Sequence, residues 1–428
     1  MHEEYVKRLK NLDDVVWQEV KRVLSDFNPD VLGVSSMTAS YVSALNVSII
    51  AKQINPKVVI VFGGKHPTAL PKNTLKNKSI DYVVIGEGEE TFRELLLHLG
   101  KPENVQGIAY RNSRGEVLVT PQRPYIADIN KLPIPIFESS INRYDFENKN
   151  TSGAYTWSII SARGCPFQCI YCSSDKIIRY RSIESVTEEI NFVKQKFGIN
   201  QFCFEDDSFS MQRTRALELC NRLKCENIKW QCNTRVDLID KDVVSAMKRS
   251  GCVEVAIGIE TGSLKTLERI RKKINYEKVS QAIKLFKKSG ILVKAYFMIG
   301  FPWENREDME QTLKLIHILP IDDFQLNIAT PLPGTQMFQE LVDSGKINPD
   351  CEDWSRYQQG SFYMNFSQYS DAEWEKMLFE FIDNAYKLYK KRLFWKILKM
   401  LLRDPIKIIT KIKSKLIMGK KDLKILFK

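Results

Sequence analysis

Between Asp14 and Leu99 the apolar positions alternate between a helical and a strand-like period. Val16, Val20, Val23, Leu24 and Phe27 share one face of a predicted helix over Asp14–Phe27, which Asn28-Pro29-Asp30 ends. A strand follows at Val31–Ser35, then a helix at Tyr41–Ile54, an Asn55-Pro56 turn and a strand at Val58–Phe62 running into Gly63-Gly64. A third strand, Tyr82–Ile85, leads through Gly86-Glu87-Gly88 into a helix at Glu89–Leu99. Short apolar strands alternating with helices predict an α/β domain with a doubly wound parallel sheet. Ile108–Tyr110 and Val117–Thr120 flank Asn112–Gly115 as a hairpin that closes this unit, residues 1–123. Pro121, Pro124, Pro133 and Pro135 then mark an extended linker over 124–150.

The alternation resumes over 151–345. Strands are expected near Thr156–Ser161, Gln201–Glu205, Lys229–Asn233, Glu254–Ile259, Val293–Ile299 and Asp323–Ile328. Helices fall near Ser185–Phe197, Arg213–Lys224, Asp240–Ser250, Tyr276–Lys288 and Arg306–Ile318. Six β/α units predict a partial (β/α)6 barrel, left open, with its chemistry at the carboxyl ends of the strands. Residues 346–428 form a helical tail, in which Trp374, Met377, Leu378, Phe381 and Tyr386 recur at helical intervals.

Charge divides the chain differently from hydropathy. The net charge is +12, but Asn384–Lys428 holds fifteen Lys or Arg against two Asp, so the body before it is close to neutral. A nucleic-acid groove across that body has no electrostatic support. The basic tail, with Phe394 and Trp395 among its lysines and Pro405 interrupting it, has the composition of a helix lying on an anionic membrane surface. Packing on the barrel with solvated lysines is the competing expectation. MHEEYVKRLKN is no signal peptide, and no run of about eighteen apolar residues occurs. With nine cysteines, an odd number, this points to a reducing cytoplasm, peripheral to the inner face of a membrane if the tail binds there.

The cysteines also carry the chemistry. Cys165, Cys169 and Cys172 stand at C-x3-C-x2-C spacing in SARGCPFQCIYCSS, directly after the first barrel strand. Three thiolates on a tight loop suit three corners of a cubane iron–sulfur cluster and leave a fourth iron without a protein ligand. A zinc or redox-sensing module is the alternative, although zinc usually takes four protein ligands. Cys203, Cys220, Cys225, Cys232, Cys252 and Cys351 show no second metal spacing and are expected to be inert thiols.

The cysteine loop, with Tyr171 before its last cysteine, resembles that of radical S-adenosylmethionine (SAM) enzymes. The resemblance extends in order through the strand ends over about 190 residues. It implies a [4Fe-4S] cluster on the three cysteines and SAM on the open iron. Asp206 or Asp207 would then receive the SAM amine and Arg235 the carboxylate. Glu260 would meet a ribose hydroxyl or the amine, and Gly300 and Pro302 would lie against adenine. Pro29 to about Leu99, above all GGKHPT and IGEGEE, resembles the cobalamin-binding domain that precedes the radical SAM core in one large class. That likeness implies cobalamin near Ser36, Thr38, Gly63, Gly64, His66, Gly86 and Glu87. The first two strands of a complete domain are missing before Val31, and no histidine has an Asp two residues earlier. His66 and Glu87 also suit plainer roles, in a turn and at a helix N-terminus. The implied activity is reductive SAM cleavage starting radical chemistry on a small-molecule or lipid-like substrate, with flavodoxin or ferredoxin as reductant. With cobalamin, methyl transfer to carbon follows; without it, the first domain is a scaffold.

Overall fold

A computed structural model describes residues 2–135, 156–350, 352–357 and 364–403. Part of the linker, Cys351 and the tail beyond Arg403 lie outside them. The first unit contains α1 (His2–Leu9), α2 (Gln18–Phe27), β1 (Val31–Ser35), α3 (Tyr41–Ile54), β2 (Val59–Gly63), α4 (Lys65–Ala69), α5 (Pro71–Thr74), β3 (Tyr82–Val84), α6 (Gly88–Leu97), β4 (Ile108–Arg111) and β5 (Val117–Val119). Its sheet runs β1-β2-β3-β4-β5, the first three parallel and the hairpin antiparallel. Alternate residues of β2 face opposite sides: Ile60 and Phe62 pack with Leu24, Tyr41 and Ile50, while Val61 packs with Leu95 and Ile108. The predicted face of the Asp14–Phe27 helix is buried only in part: Leu24 enters the core and Val20 packs against it. Val16, Val23 and Phe27 are exposed, and Trp17, seven residues before Leu24, completes the contact.

The second unit begins with β6 (Trp157–Ile159) and a short ribbon, β7 (Ala162–Arg163) with β8 (Arg179–Tyr180). It continues through α7 (Ile183–Phe197), β9 (Gln201–Phe204), α8 (Arg213–Leu223), β10 (Lys229–Thr234), α9 (Lys241–Arg249), β11 (Cys252–Glu260), α10 (Leu264–Arg269), α11 (Tyr276–Lys288), β12 (Leu292–Ile299), α12 (Arg306–Ile318) and β13 (Asp323–Ile328). The six long strands are parallel in the order β6-β9-β10-β11-β12-β13, so the barrel is open between β6 and β13. Trp157, Phe202, Trp230, Val255 and Phe297 point outward into the core beneath the helices. The helices start where the sequence offers caps: Ser182 accepts from Ser185 N, Asp240 from Val243 N, and Asn305 forms a capping box with Asp308.

The C-terminal region is spent on both units. After α13 (Gln336–Asp343), Ile347, Trp354 and Tyr357, with Phe338 and Leu341, enter the core of the first unit beside Tyr41 and Phe62. Then α14 (Asp371–Arg403) lays Trp374, Met377, Leu378 and Phe381 on Ile299, Met309 and Ile328, and brings Tyr386 and Tyr389 against Phe324. The apolar stripe expected to meet a membrane is therefore covered by the barrel as far as Tyr389. Among the described residues no helix is long and apolar enough to cross a membrane.

Candidate active site

The β7–β8 ribbon pinches off the cysteine loop at the carboxyl end of β6. Gly164 has φ +93, and a Cβ there would lie 2.2 Å from the Ile177 carbonyl oxygen, so the entry to the loop requires glycine. Cys165 N donates to Asp175 O at 2.7 Å and Cys172 N to Cys169 O at 3.2 Å. Cys169 is buried, and Cys165 and Cys172 are half-buried. Burial pushes the Cys165 thiol up, and the neighbouring Asp207, Cys172 and Cys169 push it the same way. Among the described residues no three His, Cys, Asp or Glu side chains gather around a single ion. A cubane takes one thiolate per iron and holds its sulfurs apart, so this donor set fits a cluster better than one zinc.

Asp206 and Asp207 separate in role because neighbouring residues face opposite ways. Asp206, 2% exposed, accepts from Ser161 N at 2.6 Å, Ser161 Oγ at 2.5 Å and Ala162 N at 3.0 Å. It fastens the end of β6 to that of β9, so of the two acids expected to receive a SAM amine this one is engaged with the chain itself. Asp207 faces the open side and accepts from Ser174 Oγ at 2.8 Å. Arg235 is also committed. It is buried, forks onto Asp237 at 3.0 and 3.1 Å, donates to Lys272 O and lies 3.6 Å over the Phe167 ring. Glu260 is buried against Lys272 Nζ at 2.6 Å. Gly300 is glycine for Trp374, whose ring stands 2.9 Å from where a Cβ would be, and Pro302 borders a separate small groove with Arg269 and Trp303.

A cavity of about 840 Å³ opens between the two units. Ser35, Gly63, Gly64, Gly86, Glu87 and Phe92 wall it from the first unit; Ile160, Arg163, Gly164, Ser174 and Asp207 wall it from the barrel. Gly86 has open space where a Cβ would be, and Gly63 has only Val84 nearby, so a large ligand reaches bare backbone here. That cradle fits cobalamin. Ser36, Thr38 and His66 do not belong to it, because they lie beneath it. His66 is fully buried, stacked 3.9 Å from Tyr41 and edge-on to Trp354, with Nδ1 3.2 Å from Thr38 Oγ1. Burial lowers its pKa to about 3, so it is a neutral core residue.

Glu87 lines the cavity with its oxygens already engaged. It accepts from Arg163 Nη1 at 2.7 Å, Arg179 Nη1 at 2.7 Å and Ile126 N at 2.8 Å, while Glu89 takes the other arm of Arg163 at 2.6 Å. Burial alone would raise its pKa, but the Arg179 and Arg163 bonds outweigh that and hold it below the usual carboxylate range. Lys65 adds an ion pair to Asp175 at 3.5 Å, and Tyr125 Oη donates to the same carboxylate at 3.1 Å. Arg163, Arg179 and Tyr125 were not legible as site residues. The nearest signal is the arginine inside the cysteine loop facing a Glu-rich turn over 70 residues away.

The radical SAM superfamily model matches residues 159–316, and the B12-binding domain model matches residues 8–96. The uncharacterized methyltransferase PH0819 of Pyrococcus horikoshii is 34% identical over 376 residues, 86% of this chain and 80% of that protein. The cytidylyl-2-hydroxyethylphosphonate methyltransferase of Streptomyces wedmorensis is 26% identical, over 79% and 70% of the two chains. Among solved structures, the radical SAM methyltransferase TsrM of Kitasatospora setae, with cobalamin and a [4Fe-4S] cluster bound, shares the fold at TM-score 0.66 and 17% identity, covering 84% of this chain and 77% of that one.

Proposed function

This chain belongs to the radical SAM superfamily and carries a B12-binding domain, and from that premise we propose that it methylates a carbon of a small molecule, using SAM and cobalamin. The observation that carries this reading is a cavity walled both by the Gly63-Gly64 and Gly86–Glu89 turns and by the ends of the cysteine loop. When bound, the cluster supplies the electron that cleaves SAM reductively, and cobalamin carries the methyl group. Cys165, Cys169 and Cys172 are the residues that would hold the cluster. Asp207, on the open side with Ser174 Oγ as a hydrogen-bond donor, is the acid best placed to meet a donor on SAM. Gly63, Gly86 and Gly88 would admit the corrin to the backbone, and Glu87 with Arg163 and Arg179 would hold the two half-sites in register.

Anaerobic reconstitution with iron, sulfide and hydroxocobalamin tests the proposal. The expected product is a brown protein with about four irons that retains cobalamin through gel filtration and forms 5′-deoxyadenosine from SAM under reduction. A Cys169→Ala protein should lose the iron and keep the cobalamin. Loss of cobalamin from the wild-type protein would overturn methyl transfer while leaving the radical chemistry standing.

A further inference from the structure

The body of this chain before the basic tail is nearly neutral, yet its cations are not spread evenly. Lys265–Lys273 carries five Lys or Arg against a single acid, Glu268. Lys265 reaches Asp308 at 3.8 Å, and Lys272 is buried against Glu260. Arg269, Arg271 and Lys273 are exposed and form no ion pair with a described residue. Arg271 and Lys273 also hold left-handed backbone, at φ +57 and +50, where glycine or asparagine is the ordinary choice. Leu264, at the start of the same stretch, is exposed as well.

This patch lies directly behind the cysteine loop. Ile170 N donates to Ile270 O at 3.3 Å, and Cys169 Sγ stands 3.9 Å from Arg271 O. Arg271 is itself exposed, so a single residue separates Cys169 from the surface. Next along the loop, Tyr171 meets Phe301 edge-on with 6.3 Å between ring centres, and Phe301 stacks on Trp303 at 5.3 Å. The Arg269 guanidinium lies 4.1 Å over the Trp303 ring. That row ends in a groove of about 250 Å³ bordered by Arg269, Trp303, Lys346 and Glu340, the last of which already accepts from Gln336. The two ends of the cysteine loop, Gly164 and Ser174-Asp175, face the interdomain cavity instead. The loop thus has a ligand side at its ends and a basic side at its middle.

We propose that this basic face, from Arg269 to Lys273 with the Trp303 groove, is the docking surface for the electron donor, a small acidic protein carrying a flavin or an iron–sulfur centre. The proposal rests on the radical SAM reading for the need of an electron. In each encounter the reduced carrier loses one electron, and the cluster that Cys165, Cys169 and Cys172 would hold gains it. Electron transfer falls off steeply with distance, so a donor is effective only where the cysteine loop comes close to the surface, as it does at Arg271. The charge of the partner follows from the patch: exposed, uncompensated cations steer an acidic surface in and turn a basic one away. Arg and Trp at the edge of a groove are side chains that commonly anchor a contact. A small, charged interface also suits a carrier that must leave after each transfer. A donor docked here leaves the cavity side to SAM and cobalamin.

Full-length protein reconstituted anaerobically with iron and sulfide is titrated with an acidic flavodoxin and, separately, with an acidic iron–sulfur ferredoxin. Stopped flow follows the rate at which each reduced carrier bleaches the cluster absorbance. At least one carrier should bind, and more weakly as salt rises. Arg271→Glu and Lys273→Glu should each weaken it about three- to tenfold, and the double variant by more than about tenfold. The reduction rate at low carrier concentration should fall in step. Reduction of the same proteins by dithionite should be unchanged, which separates lost docking from a damaged cluster. Arg222→Glu, exposed on α8, should bind as the wild type does. Circular dichroism melts identify a variant that fails to fold, and Arg269→Glu, on the helical backbone of α10, then takes the place of Arg271→Glu. Three results overturn the proposal: neither carrier binds the wild type, the folded variants keep its affinity, or they lose anionic vesicles while keeping the carrier. Iron content and 5′-deoxyadenosine formation with dithionite are scored separately, so failure of the radical reading is seen apart from failure of the docking surface.

Discussion

Removing the Glu87 carboxylate should loosen the joint between the two units, and the structure bounds the effect. Arg179 is 7% exposed and Glu87 12% exposed. Two nitrogens of the Arg179 guanidinium, Nε and Nη2, are already buried without a partner, so Glu87 is the carboxylate that compensates this cation. Deleting one member of a buried pair costs about 3–5 kcal/mol. Arg163 is 28% exposed and keeps Glu89, so its share is small and the lower figure applies. Glu87→Ala should therefore lose about 3 kcal/mol in urea unfolding. A Glu87→Ala/Arg179→Met protein should lose clearly less than the sum of the two single changes, because the stranded cation is gone. The sign with pH follows from the lowered pKa: the contribution is complete above the ordinary value of 4.5 and is lost as pH falls through the folded value. The Glu87→Ala protein should lack that part of the acid sensitivity. Additivity of the two substitutions, with both singles within about 0.5 kcal/mol of wild type, would refute the clamp.

Alanine at Cys165, Cys169 or Cys172 should abolish iron loading after reconstitution, whereas Cys203→Ala and Cys225→Ala should leave the iron content unchanged. Asp206→Ala leaves the buried Ser161 and Ala162 amides without an acceptor, at about 1–3 kcal/mol each, and should lower both melting temperature and cluster occupancy. Trp374→Ala, at a residue of α14 that is 1% exposed against Gly300, should cost about 3–5 kcal/mol; a small loss would mean that α14 does not pack there. Removing residues 404–428, which hold eight Lys against two Asp, should reduce co-sedimentation with anionic vesicles at low salt and leave the melting temperature unchanged.

The strands and helices were legible because apolar spacing is a local property. The strands Val31–Ser35 and Asp323–Ile328 and the helices Tyr276–Lys288 and Arg306–Ile318 fall where the pattern puts them. What the pattern does not contain is the choice of distant partners. Nothing local distinguishes Asp206 from Asp207, yet one ties two strand ends together and the other faces the cavity. Gly300 reads as a turn glycine near a ligand, and only the arrival of Trp374 shows what it makes room for. His66 has the composition of a loop residue, and Tyr41 and Trp354, from opposite ends of the chain, enclose it. Glu87 was noticed as an acid at a helix start, but its arginines lie 76 and 92 positions away.

The insertion of Trp354 and Tyr357 beside Tyr41 and Phe62 also sets an order of events during synthesis. The five-stranded sheet is complete in sequence at Val119, but residues that finish its hydrophobic core follow roughly 240 positions later. At translation rates of about 5–20 residues per second, the nascent first unit waits about 12–50 s with part of that core uncovered. During that interval the apolar site awaiting Trp354 is open to chaperones and to neighbouring nascent chains. The two halves of the enzyme therefore reach their final packing together, after the barrel has been made, and the wait is longest where ribosomes are slow.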